Sequence, residues 1–156
     1  MKRTTSIPLM YNKGRNGADP FLQGSGMQIT RETDYAIRCV LYLAGKRGSV
    51  TMVDEIARNM SIPKSFLAKI LQKLGRAGIA RSYRGVKGGF ELALEPGGIS
   101  LLDIIEAVQG PVAMNVCALD RSTCDFSDSC SVHPVWVDVR REVEKILREK
   151  NFADLL

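Results

Sequence analysis

Apolar positions fall into helical stripes along most of the chain, and the stripes break at glycine, proline or capping residues. In "TRETDYAIRCVLYLAGKRG", Ala36, Val40, Leu43 and Ala44 form one stripe that Ile37 and Leu41 widen. This predicts a helix with Gly48 as its stop signal. Cys39 lies inside the stripe and reads as a small buried hydrophobe. "TMVDEIARNM" predicts a short second helix carrying Val53, Ile56, Ala57 and Met60, with Thr51 and Asp54 at capping-box spacing. "SIPKSFLAKILQKLGRAG" predicts a third. Leu67, Ile70, Leu71 and Leu74 are spaced i, i+3, i+4, i+7 and mark its core face. Pro63 is tolerated in its first turn, and Gly78 ends it. The opposite face carries Lys64, Ser65, Ala68, Lys69, Gln72, Lys73 and Arg76.

The period then changes. Ile79 to Tyr83 and Phe90 to Leu94 read as short strands joined by "RGVKGG", a glycine-rich turn with room for positive φ. Three helices followed by a hairpin give the order of a winged helix-turn-helix. Ser100 and Asp103 form a second capping-box pair, and "LLDIIEAVQG" predicts a helix burying Leu101, Ile104, Ile105 and Val108. In the last helix, "VHPVWVDVRREVEKILREK", Val132, Trp136, Val139, Val143 and Ile146 alternate spacings of four and three. That is a short heptad seam, and it predicts a partner helix, most simply from a second copy. The expected fold class is mainly α with a small β-hairpin wing and a long C-terminal dimerisation helix. Residues 1–26 lack periodicity and read as a disordered or appended extension. Residues 27–98 read as the winged DNA-binding domain, and 99–156 as a cysteine segment plus dimerisation helix.

Composition adds little by itself. The 156 residues are 45% hydrophobic and 25% charged, enough for an ordinary core, and the net charge of +5 is mild. No run of eighteen apolar residues exists, and "TTSIPLMYNKGRNGADPF" contains no apolar leader core. A cytoplasmic protein with no membrane partner is expected, in which thiols stay reduced. Charge becomes informative once it is located. From Arg58 through Lys87 there are eight basic residues and no acidic one, and this span covers the third helix and the wing. Such a face neutralises phosphates and releases counterions, so double-stranded DNA is the expected partner. Lys64, Ser65, Lys69, Gln72 and Lys73 are placed to reach base edges or phosphates in the major groove. Arg84, with Lys87 beside it at the wing, is placed to enter a narrow minor groove. No catalytic triad or phosphate-cradling loop is present, so an enzyme is not expected.

Cys117, Cys124, Cys130 and His133, the only histidine, lie within seventeen positions at spacing C-x6-C-x5-C-x2-H. A disulfide framework does not suit a reducing compartment. Zinc accepts three thiolates and an imidazole, but its sites usually include a closely spaced cysteine pair, which is missing here. A reactive thiol switch needs positive surroundings, whereas Asp120, Asp125 and Asp128 crowd this segment with only Arg121 opposing them. Bound iron itself stabilises thiolates, so an iron–sulfur cluster with three cysteines and one other ligand is chemically reasonable. On spacing alone, cluster and zinc both stand.

Several stretches in order resemble the bacterial iron–sulfur-responsive winged-helix repressors of the IscR and NsrR type. They are "MQITRETDYAIR", "LAKILQKLGRAGI", "SYRGVKGGFEL", the three cysteines, "CSVHPVW" and the closing "FADLL". The resemblance covers about Met27 to Leu156. It implies a homodimer that reads a pseudo-palindromic operator and carries its cluster near the long helix. His133 matches the IscR-type pattern, in which histidine completes a 2Fe-2S site. "TDYAIR" resembles the NsrR branch, in which an acidic residue at the place of Asp34 is the fourth ligand to a 4Fe-4S cluster, reaching in from the partner. His133 is favoured because it shares a segment with the cysteines. Ala68 departs from the IscR-type pattern, which often has an acidic residue there to discriminate between operators. The expectation is a repressor that senses iron–sulfur status, with two alternatives: a nitric oxide or redox sensor of the NsrR type, and a zinc-stapled DNA-binding protein that senses nothing.

Overall fold

The computed structural model describes residues 28–156, and the extension expected at 1–26 lies outside them. Helix α1 spans Arg31–Gly45. Thr30 caps it by accepting from the Thr33 amide at 3.2 Å, and Glu32 and Asp34 place negative charge at the positive end of the helix dipole. The predicted stripe is buried, Ala36, Val40, Leu43 and Ala44 included. Cys39 is fully buried as expected, and desolvation pushes its thiol up to about 12.

Helix α2 (Val53–Met60) and helix α3 (Lys64–Arg76) are joined by a tight turn in which Ser61 takes a left-handed conformation, φ 53°. Leu67, Ile70, Leu71 and Leu74 all point into the core. Pro63 is the cap residue of α3, just before the first turn where it was expected. Strands β1 (Ala80–Tyr83) and β2 (Gly89–Leu92) pair antiparallel in the register Ala80↔Leu92 to Tyr83↔Gly89.

The capping box expected at Thr51 and Asp54 does not form. Met52 is the N-cap of α2, without a side-chain cap. Thr51 is buried and exchanges both main-chain hydrogen bonds with Phe90 at 2.9 Å, adding a rung to the wing. That rung explains Gly89: a Cβ there would lie 2.3 Å from the Thr51 carbonyl oxygen. The Thr51 hydroxyl donates to the Ser49 carbonyl at 3.5 Å instead of capping α2.

Helix α4 (Leu101–Val108) begins with the expected capping box, Asp103 N–H donating to Ser100 Oγ at 3.2 Å and Ser100 N–H to Asp103 Oδ2 at 2.8 Å. Ile104, Ile105 and Val108 are buried as expected. The fourth buried position is Leu102, not Leu101, which is only half-buried at the helix edge, where its amide donates to the Lys150 carbonyl. Helix α5 spans His133–Glu149. After it the chain turns back, and Phe152, with no exposed surface, donates its amide to the carbonyls of Pro96 and Ile99. One core cluster therefore holds Val40 of α1, Ile70 and Leu74 of α3, Ile104 of α4 and Phe152 of the tail, on both sides of residue 98. No helix among the described residues is long and apolar enough to cross a membrane.

Phe152→Ala should cost ~3–5 kcal/mol, the usual penalty for emptying a buried phenylalanine site. Urea unfolding of the full chain would show it as a lower midpoint, and Phe152→Leu should lose less.

Candidate functional site

The burial of one side of α3 decides what its other side offers. Ser65, Lys69, Gln72 and Arg76 follow the spacing i, i+4, i+7, i+11, and all four are exposed. Lys69 and Arg76 have no ion-pair partner among the described residues, so their charge is available to an anion. Arg76 was not among the expected contact residues, although the same spacing in the sequence marks it. Lys64 pairs with Asp54 at 2.8 Å, but both side chains are more than half exposed, so the pair is weak and easily exchanged for a phosphate.

Lys73, one of the expected DNA contacts, is held by groups of the protein itself. Its Nζ donates to the Glu32 carboxylate at 2.9 Å and to the Val108 carbonyl at 2.8 Å. It faces α1 and α4, beside the outer stripe and not on it. In the wing, Arg84 and Lys87 are exposed and likewise have no ion-pair partner among the described residues. Between them Val86 stands wholly in solvent. Tyr83 donates its hydroxyl to Glu91, which also lies 3.9 Å from Arg81, so the acidic group of the wing is occupied.

The cysteine segment links α4 to α5. Gly110 turns the chain out of α4 at φ 97°, a conformation that L side chains rarely adopt. Two short 3-10 turns follow, Val116–Ala118 and Arg121–Thr123. Asp120 caps the second: the Ser122 hydroxyl and amide both donate to its carboxylate and hold it below the usual aspartate range. Arg121 pairs with Asp128 at 2.7 Å across the loop. Arg140 of α5 donates to the Ala118 carbonyl at 2.9 Å and pairs with Glu144, docking the long helix on the turn that carries Cys117.

All three cysteines of the segment are free thiols, Cys117 buried and Cys124 and Cys130 half-buried. His133 opens α5 and is buried, and its Nδ1 has no hydrogen-bond partner among the described residues. Buried nitrogen without a partner is unusual and suits a metal ligand. The donor types fit an iron–sulfur or zinc site on that ground. Their placement does not yet make one: among the described residues no three His, Cys, Asp or Glu side chains converge as metal ligands do. Asp34, the alternative fourth ligand, is engaged with Arg38 one turn along α1.

Helix α5 is largely uncovered. Of its seventeen residues only His133 is buried. Trp136, Val139 and Val143 of the seam are half-buried, and Ile146 is 57% exposed.

The family model Rrf2, described as an iron-dependent transcriptional regulator, matches residues 29–156. An HTH-type transcriptional regulator of Aquifex aeolicus is 35% identical over 124 residues, 78% of this chain and 86% of the relative. Among solved structures, CymR, the global cysteine regulator of B. subtilis, superposes with a TM-score of 0.67 at 26% identity, covering 82% of this chain and 95% of that one. T. potens IscR superposes with a TM-score of 0.63 at 25% identity, covering 82% and 85%. The winged fold and the family resemblance expected from the sequence are both met, and this chain belongs to the Rrf2 family of DNA-binding, helix-turn-helix transcriptional regulators, which are not enzymes.

Proposed function

We propose that this regulator is a cytoplasmic homodimeric repressor whose hold on a pseudo-palindromic operator is set by an iron–sulfur cluster on Cys117, Cys124, Cys130 and His133, with 2Fe-2S favoured over 4Fe-4S. The observation that carries the reading is the buried, partnerless Nδ1 of His133 at the end of a segment holding three free thiols. Leaving such an atom unpaired costs ~1–3 kcal/mol, which metal ligation would remove. When bound, a cluster supplies redox and ligand-exchange chemistry and keeps the thiolates deprotonated. The protein's own part is mechanical. Gathering donors that stand apart requires the segment to close, and Arg140 ties that segment to α5 through the Ala118 carbonyl. Movement of the segment would thereby reach the helix proposed to join the two copies through Trp136, Val139, Val143 and Ile146, and so the spacing of the two reading heads. Ser65, Lys69 and Gln72 would then meet the major groove, with Lys64 and Arg76 on phosphates. Arg84 would meet the minor groove, with Lys87 beside it.

A second reading, a regulator whose cysteines hold no cluster, draws support from the donors that do not converge and from the likeness to CymR, the global cysteine regulator. Asp34 is the less favoured fourth ligand because Arg38 already holds its carboxylate. Purification without oxygen, with iron and sulfide supplied, separates these readings. The expected protein is brown, with stoichiometric iron and sulfide and visible absorption. Alanine at any one of Cys117, Cys124 or Cys130 should remove or destabilise the cluster, while Cys39→Ala should not. His133→Ala should change the spectrum, and Asp34→Ala should hardly do so. The opposite result for those last two would point to the NsrR-type arrangement. A colourless protein would leave the zinc-stapled or metal-free alternatives, and zinc analysis would distinguish them.

Arg84→Ala should weaken binding to any duplex and lower the salt slope by about one. Lys69→Ala and Gln72→Ala should shift preference among operators by ~1–3 kcal/mol per lost base contact. Titration of labelled duplexes at several salt concentrations measures both effects. If all three variants keep wild-type affinity and preference, the DNA-reading surface lies elsewhere.

Val139→Asp should give monomers in sedimentation and lose tight operator binding, because a charge would sit in the middle of the seam. A wild-type protein that sediments as a monomer would end the dimer proposal.

A further inference from the structure

Polar contacts from three helices meet where α3 passes the root of the cysteine segment. The Lys73 ammonium, in the last turn of α3, holds the Glu32 carboxylate of α1 and the Val108 carbonyl of α4. Val108 is the final residue of α4, and Gly110 turns the chain into the cysteine segment two residues later. Between them, the Gln109 side-chain oxygen accepts from the Thr33 hydroxyl at 2.9 Å and the Thr30 amide at 3.0 Å. Its amide nitrogen donates to the Gln28 carbonyl at 3.2 Å. Thr33 is completely buried, so its hydroxyl depends on these partners.

Apolar packing between α3 and α4 is non-directional and tolerates small slides. An ammonium shared between a carboxylate and a main-chain carbonyl is directional, and it loses a partner if either one moves. Gln72, on the outer stripe, is the neighbour of Lys73 in the chain, and Lys69 and Arg76 lie a turn to either side. A shift at Val108 that drags the Lys73 amine would therefore move the exposed stripe.

We infer that Lys73 is a positioning residue that latches the reading helix to the root of the cysteine segment, so that displacement of the segment is passed to the exposed stripe of α3. The inference rests on reading α3 as the DNA-facing helix and the segment as the sensing element. Spatial adjacency alone does not establish coupling, so the test must perturb one end and read the other.

That test needs neither metal nor DNA, and its outcome is independent of whether a cluster assembles. The metal-free full chain is labelled with N-ethylmaleimide, which reaches the half-buried Cys124 and Cys130 and leaves buried Cys39 alone, and hydrogen–deuterium exchange is followed by peptide. In wild type, labelling should speed exchange across 110–132 and also in the last turn of α3. Lys73→Met keeps the apolar stem and removes the ammonium. In it, the last turn of α3 should exchange several-fold faster before labelling and no longer respond to it, while 110–132 still responds. Lys73→Arg should restore the response. If Lys73→Met does not fold, Glu32→Gln, which keeps the Val108 contact, should show a reduced response in α3. The inference is overturned by a wild-type α3 that ignores labelling, or by a Lys73→Met or Glu32→Gln protein whose α3 responds as wild type does.

Discussion

Leu67, Ile70, Leu71 and Leu74 enter the core from one side of α3, and their burial decides where every other side chain of that helix points. Each is worth ~1.5–3 kcal/mol when buried. The exposed Lys64–Asp54 pair, by comparison, contributes ~0–1 kcal/mol and cannot set the orientation of the helix. The outer stripe is presented to solvent because the aliphatic stripe is not, and the wing follows because β1 begins at buried Ala80, in the cluster that holds Ile70 and Leu74.

Thr51 and Ser100 mark the boundary of what could be read from the sequence. Each is followed three residues later by aspartate, and the local spacing is identical. Both also form a β bridge with a distant residue, Thr51 with Phe90 and Ser100 with Asn151, yet only Ser100 closes the capping box, while the Thr51 hydroxyl turns to the Ser49 carbonyl. Nothing within either window separates the two. Helical stripes survived because burial of a whole face involves many residues at once, and one wrong neighbour does not change the answer. Leu101 and Leu102 show the grain of that argument: the stripe places the face and can miss by one residue which side chain lies at its centre.

The protein partners of Lys73 were not legible for a related reason. It flanks the outer stripe, so its helical position allows either role, and its partners lie 41 and 35 positions away. The proposed metal donors stand out as residue types because thiols and an imidazole in one segment are rare by chance. Their arrangement in space was not, because it depends on how Gly110, two short turns and Arg140 fold the connection. The half-covered seam of α5 was legible for the opposite reason: its spacing recurs over several turns and needs no distant partner in the same chain.

Phe152 has a bearing on synthesis. It follows every helix in the chain, yet it completes the core cluster that α1, α3 and α4 share. The packing of α1, α3 and α4 therefore cannot be completed while Phe152 is still inside the ribosome. By the time Phe152 arrives, the cysteine segment and α5 have already been made. A prematurely terminated chain would carry α3 on an incomplete core, open to proteases. Competence to bind DNA and the machinery proposed to control it thus mature together.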